Sequence, residues 1–164
     1  MLHEEKNNIE TVRHVFQALN TGDISNVSDF ISPRYFNHES QMDPVRSKMR
    51  GPQEFIDTVI NIRKAISDLQ YEEQESVGSG DKVVSIVTVK GNHTGSFFGF
   101  IPPTGNKIAY QAVHVFTLGD DGKIVEHRAI RDDLALMYQP GVVSGTGPQY
   151  DKFLQETKSS AGYI

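Results

Sequence analysis

Apolar residues recur at helical spacing in the first third of the chain and in alternation through most of the rest. Between Asn8 and Asn20, Ile9, Val12, Val15, Phe16 and Leu19 fall on one face of a helix, and Gly22 ends it. Asp23 is placed to cap a second helix that carries Ile24, Val27, Phe30 and Ile31 inward and stops at Pro33. Tyr35 to Glu39 is a short aromatic stretch that reads as a strand, and Gln41 to Arg50 is a polar loop. Pro52 then stands at a first helical position, with Phe55, Val59, Ile62 and Ile66 on one face behind it.

After Asp68 the period changes to two. Leu69 to Val77 and Lys82 to Lys90 read as strands joined by the hairpin signal Gly78-Ser79-Gly80-Asp81. The nearly unbroken apolar and β-branched run Val83 to Val89 marks a central strand. Gly91 to Gly105, rich in glycine, proline and aromatics, reads as a strand end followed by a loop at the mouth of the fold. Lys107 to Leu118 alternates again, with Lys123 to Arg131 as its hairpin partner, and a short helical pattern from Leu134 ends at Pro140-Gly141. Helical patterns followed by antiparallel strands give an α+β order, in which a curved sheet with helices packed on it encloses a cone-shaped pocket. Residues 1–141 form one domain, and residues 142–164 a tail that is either a mobile end or a dimer arm.

The last hairpin decides which residues share a face. Asp120-Asp121-Gly122 suits a three-residue loop with glycine in the left-handed region, pairing Gly119 with Lys123. His114 then opposes Arg128, Ala112 opposes Ile130 and Tyr110 opposes Asp132, so Tyr110, His114, Phe116, Arg128, Ile130 and Asp132 share one wall while His127 points away. A two-residue loop would instead pair His114 with His127; the glycine position favours the first register, and a bulge would undo it.

Composition narrows the chemistry. The 164 residues suffice for one domain with a real core, and 37% hydrophobic with 23% charged residues describes a folded chain. A net charge of -5 argues against nucleic acid as a partner. The absence of cysteine excludes disulfides, thiolate nucleophiles and cysteine-ligated metals. The polar start M-L-H-E-E-K-N-N has no apolar core of a signal peptide, and no run is long enough for a membrane span, so a cytoplasmic protein with no membrane partner is expected.

Asp132, an acid at a strand end in an apolar wall, is the candidate acid/base, and His114 is its candidate partner, orienting it or donating a hydrogen bond to an enolate. Arg128 decides whether Asp132 is a working base or half of an ion pair. The plainer readings are that Asp132 and Asp133 cap the following helix, that His114 is a core histidine, that His127 pairs with Glu126 or backbone, and that His38 and His93 fix loops. Phe97, Phe98 and Phe100 either line a hydrophobic mouth or pack their own loop onto the core. A metal set of His114, His127 and Asp132 is disfavoured because the chosen register separates the two histidines, so no metal is expected.

The segments G-N-H-T-G-S-F-F-G-F-I-P-P-T-G-N-K-I and D-G-K-I-V-E-H-R-A-I-R-D-D-L-A-L-M-Y-Q-P-G resemble the SnoaL-like polyketide cyclase (ester cyclase) family of the NTF2-like superfamily, over about Ile9 to Gly141. His93 and His127 fall on the family's two motif histidines, His38 on one often present early, and Asp132 on its aspartate. The resemblance implies a cone-shaped α+β barrel, a homodimer, no cofactor, and an intramolecular aldol cyclisation or related isomerase or hydrolase reaction on a small apolar carbonyl compound. It makes Asp132 the general acid/base and His114 its candidate partner; the shared wall then gives the pocket Tyr110, Phe116, Arg128 and Ile130, and His38, His93 and Phe98 are added from the loops. Arg128 departs from the family's tryptophan and Pro140 from its leucine. The cation points to a smaller or more acidic ligand, and a non-catalytic ligand-binding or dimeric scaffold is the alternative on the same fold.

Overall fold

The computed structural model describes residues 2–41, 43–97, 99 and 101–139. Within them the chain runs α1 (Leu2–Thr21), α2 (Val27–Phe30), β1 (Ile31–Asn37), two single-turn 3-10 helices (His38–Ser40 and Arg46–Lys48), α3 (Pro52–Ala65), β2 (Ile66–Ser79), β3 (Lys82–His93), β4 (Lys107–Leu118), β5 (Ile124–Arg131) and α4 (Asp133–Tyr138). The strands form one sheet in the order β1-β5-β4-β3-β2, antiparallel except for the parallel pair β1 and β5. Together with the helices this is the α+β fold expected, built on a curved, open five-stranded sheet. Among the described residues no helix is long and apolar enough to cross a membrane.

The helical periodicity is realised in α1, where Val12, Val15, Phe16 and Leu19 are buried and Gly22 N–H closes the end on the Ala18 carbonyl at 2.8 Å. The second helix is shorter than its pattern. The Asp23 carboxylate accepts from Ser25 N–H at 3.0 Å in a turn of its own, and Ile31 already belongs to β1. That strand keeps Pro33 in its interior, which an edge position tolerates because one side of an edge strand needs no donors. At the opposite edge the Asn20 amide donates to the Tyr71 carbonyl at 3.1 Å and accepts from Tyr71 N–H at 2.6 Å. The end of α1 thereby satisfies an open edge of β2.

The register of β2 against β3 shifts between Ser67 and Gln70 and again between Glu73 and Glu75, with Asp68 in the left-handed region at φ 53. Such bulges bend a strand and raise its twist, which curves the sheet around α1 and α3. The concave face carries Val83, Ser85, Val87 and Val89 of β3 and Ile108, Tyr110, Ala112, His114, Phe116 and Leu118 of β4, all buried. Among the described residues the convex face is left open: Val84 and Ile86 of the apolar run are exposed there. The central-strand reading of Val83 to Val89 holds, since β3 is paired on both edges.

The loop after β3 is held against the end of α3. Thr94 and Gly95 N–H both donate to the Ala65 carbonyl, and a β-carbon on residue 95 would stand 2.0 Å from the Lys64 carbonyl oxygen. Only glycine allows that approach. The tail from Pro140 onward lies outside the described residues.

Candidate active site

One extra residue in β5 sets the geometry of the site. The turn forms as its residues require: Gly122 is left-handed at φ 72 and Gly119 N–H donates to the Lys123 carbonyl at 2.8 Å. Leu118 then pairs with Ile124, but Thr117 pairs with Glu126, so Val125 is bulged out of the ladder. From there on the faces are reversed. Phe116 opposes His127, His114 opposes Ala129, Ala112 opposes Arg131, and Val115 and Val113 oppose Arg128 and Ile130. The expected shared wall is thus corrected. His127 and Arg131 join His114, Phe116 and Tyr110 on the concave face, while Arg128 and Ile130 stand on the convex one, Ile130 76% exposed.

The two histidines meet directly. His114 Nδ1 lies 2.9 Å from His127 Nε2, and His127 Nδ1 lies 2.9 Å from Asn37 Oδ1 at the end of β1. The Asn37 amide donates at 3.3 Å to Oε1 of Glu54, a carboxylate with 0% exposure on α3. The same oxygen accepts from Arg46 Nη2 at 2.6 Å and from the Ser40 hydroxyl. A polar thread therefore runs from α3 through β1 and β5 to the middle of β4. Its inner end is walled by Phe16, Tyr71 and Phe116, with ring centroids 5.8, 5.9 and 6.1 Å from that of His114. His114 is 7% exposed, and its Nε2 is buried without a hydrogen-bond partner.

Burial, reinforced by the positive charge of Arg131, pushes the His114 pKa down to about 4. Burial first, then His114 and Arg131, lowers His127 well below the usual histidine range. Both imidazoles are neutral at pH 7. Burial also raises Tyr71 well above the usual phenol and Tyr110 up to about 12, so both keep their protons. Arg131 is held by Glu39 at 2.7 Å and Asp133 at 3.0 Å.

Asp132 lies just beyond β5, exposed, and its Oδ1 accepts from Ala135 N–H at 3.0 Å, which makes it the N-cap of α4. Arg128 and Asp132 are not partners in any ion pair among the described residues, and Arg131 takes the acids instead. His38 packs edgewise on Phe36 and sits 3.5 Å from Glu126. His93, 0% exposed, stacks on Phe97 at 4.3 Å and contacts the Thr104 hydroxyl at 3.0 Å, pinning the loop. Phe98 lies outside the described residues. The metal set considered from sequence is not assembled, because Asp132 caps α4, and no three metal-ligating side chains converge among the described residues. Sequence reading missed Asn37, Glu54 and Arg131 and set His127 aside. The first lay inside the motif Tyr35 to Glu39; a buried glutamate has no signature of its own.

The aklanonic acid methyl ester cyclase DnrD of Streptomyces peucetius is 32% identical over 135 residues, 81% of this chain and 90% of its own length. The nogalonic acid methyl ester cyclase of Streptomyces nogalater is 30% identical over 76% of this chain and 90% of its own. The structure of TsrD from Streptomyces laurentii superposes with a TM-score of 0.74 at 24% identity, covering 84% of this chain and 97% of that one. The family model described as SnoaL-like polyketide cyclase matches residues 9–140, and the chain belongs to that family.

Proposed function

We propose that the protein closes a ring in an ester-bearing polyketide by an intramolecular aldol reaction. The observation that carries this reading is the Asn37–His127–His114 chain ending in a neutral, unpartnered imidazole nitrogen inside an aromatic wall. The cyclase relatives support the substrate class. In the step, a carboxylate removes the proton from carbon next to a carbonyl and the enolate carbon bonds to a second carbonyl carbon. The oxygen of that carbonyl then takes the proton back. Nothing leaves, so product and substrate have the same mass. Asp132 is the proposed carboxylate, with Oδ2 left over from its capping bond, and the His114–His127 pair supplies the polar inner wall.

The test is turnover of aklanonic and nogalonic acid methyl esters, followed as an isobaric product with a new chromatographic position. Asp132→Asn is expected to slow turnover about a hundredfold. Asparagine caps helices as well as aspartate, so α4 should persist and the melting temperature should hold. If neither ester is consumed the reading fails; if Asp132→Asn turns over at the normal rate, Asp132 is only a cap.

The same reading includes a homodimer. On the convex face, cross-strand rows Val77–Val84–Val115–Arg128 and Glu75–Ile86–Val113–Ile130 make an apolar patch with an acid at one margin and a cation at the other. A two-fold axis through such a patch buries apolar against apolar and sets Arg128 toward Glu75 of the second copy. Light scattering should give twice the chain mass, and Ile130→Glu should give the monomer with unchanged circular dichroism. A wild-type monomer at high concentration would remove the dimer.

A further inference from the structure

We infer that Glu54, buried on α3 far along the chain from both histidines, is a positioning residue that fixes which nitrogen of His114 carries its proton. Donor and acceptor roles pass along the chain of hydrogen bonds in one direction. A carboxylate only accepts, and Glu54 Oε1 takes Arg46, Ser40 and the Asn37 amide. The NH2 group of Asn37 must therefore face Glu54, and its Oδ1 faces the Glu39 N–H at 3.1 Å and His127 Nδ1 at 2.9 Å. An amide oxygen only accepts, so His127 carries its proton on Nδ1 and its Nε2 is bare. That bare nitrogen faces His114 Nδ1 at 2.9 Å, so His114 in turn is protonated on Nδ1. His114 Nε2, buried and unpartnered, is left as a lone pair.

The consequence is directional. A neutral His114 cannot donate from Nε2 to an enolate oxygen, which revises the role expected from sequence. It can accept, from a substrate hydroxyl. Only this last use of the lone pair rests on the ring-closing reading. The tautomer is a property of the resting protein.

The experiment is long-range proton–nitrogen correlation NMR on the full chain labelled with 15N-histidine at neutral pH, without substrate. The wild type should show His114 and His127 each protonated on Nδ1 alone. In Glu54→Gln the glutamine can present NH2 or oxygen, which leaves only the Glu39 N–H to orient Asn37, so a second tautomer should appear at both histidines. The turnover number should fall on the order of tenfold while KM changes little. The double variant Asn37→Asp with Glu54→Gln moves the carboxylate one link along and should restore the single tautomer. His114 protonated on Nε2 in the wild type, or wild-type tautomers in Glu54→Gln, would overturn the inference. Because the spectra need no substrate, a failure of the cyclase reading leaves this test intact.

Discussion

Replacing Glu54 with alanine is expected to destabilise the fold by about 3 kcal/mol, among the largest losses any single substitution in this chain should produce. The carboxylate has 0% exposure and accepts from Arg46, Ser40 and Asn37 through one oxygen. Alanine removes the acceptor and leaves the donors behind. Breaking a buried pair by removing one partner costs roughly 3–5 kcal/mol, because the remaining charge is uncompensated. The Arg46 side chain retains 21% exposure, so water reaches part of the guanidinium and the lower end of that range applies. Glu54→Gln should lose less than alanine, since the amide fills the same space and still offers one acceptor, whichever of the donors it faces. The check is the urea midpoint of each variant at constant m-value. A loss below about 1 kcal/mol for Glu54→Ala would show that Arg46, Ser40 and Asn37 find other partners.

The same residue shows where sequence reading stops. The amphipathic pattern of α3 was legible because Phe55 and Val59 recur at helical spacing, and both are buried. Glu54 is adjacent to that stripe, and in sequence it looks like any solvated glutamate. Its burial makes sense only with Asn37, Ser40 and Arg46, which come from other segments and share no spacing with it. The hairpin is the complementary case. Gly122 announced its turn correctly, but nothing in Ile124-Val125-Glu126 marks Val125 as the bulge. Side chains in a strand alternate with period two, so that one residue carried Arg128 and Ile130 to the convex face and brought His127 inward. The family motifs named His127 and Asp132 without their geometry. The structure places the first beside His114 and the second on the cap of α4.

Acid should destabilise the protein between about pH 6.5 and pH 4. In the folded chain burial and Arg131 hold the His114 pKa down to about 4, against the ordinary 6.5 that it regains on unfolding. Between those values the unfolded state binds a proton that the folded state refuses. Stability then rises with pH across the window and is lost as pH falls through it. A displacement of this size is worth roughly 3 kcal/mol by the bottom of the window, at about 1.4 kcal/mol per unit. His127 is lowered in the same direction by burial and by His114, but the pair titrates as one system, so the two shifts do not simply add. His93, lowered by burial, contributes with the same sign. The carboxylate of Glu73, held low by Arg13, begins to matter only as pH approaches 4 and below. Denaturant midpoints at half-unit steps from pH 7.5 to 4.5 should therefore hold down to about pH 6.5 and then fall steadily. His114→Gln should flatten the curve by at least half, because it removes the titrating ring at the centre of the pair. A curve of the same slope in His114→Gln would assign the acid sensitivity to His93 or to other groups, and would mean that the paired imidazoles do take up protons inside the folded protein.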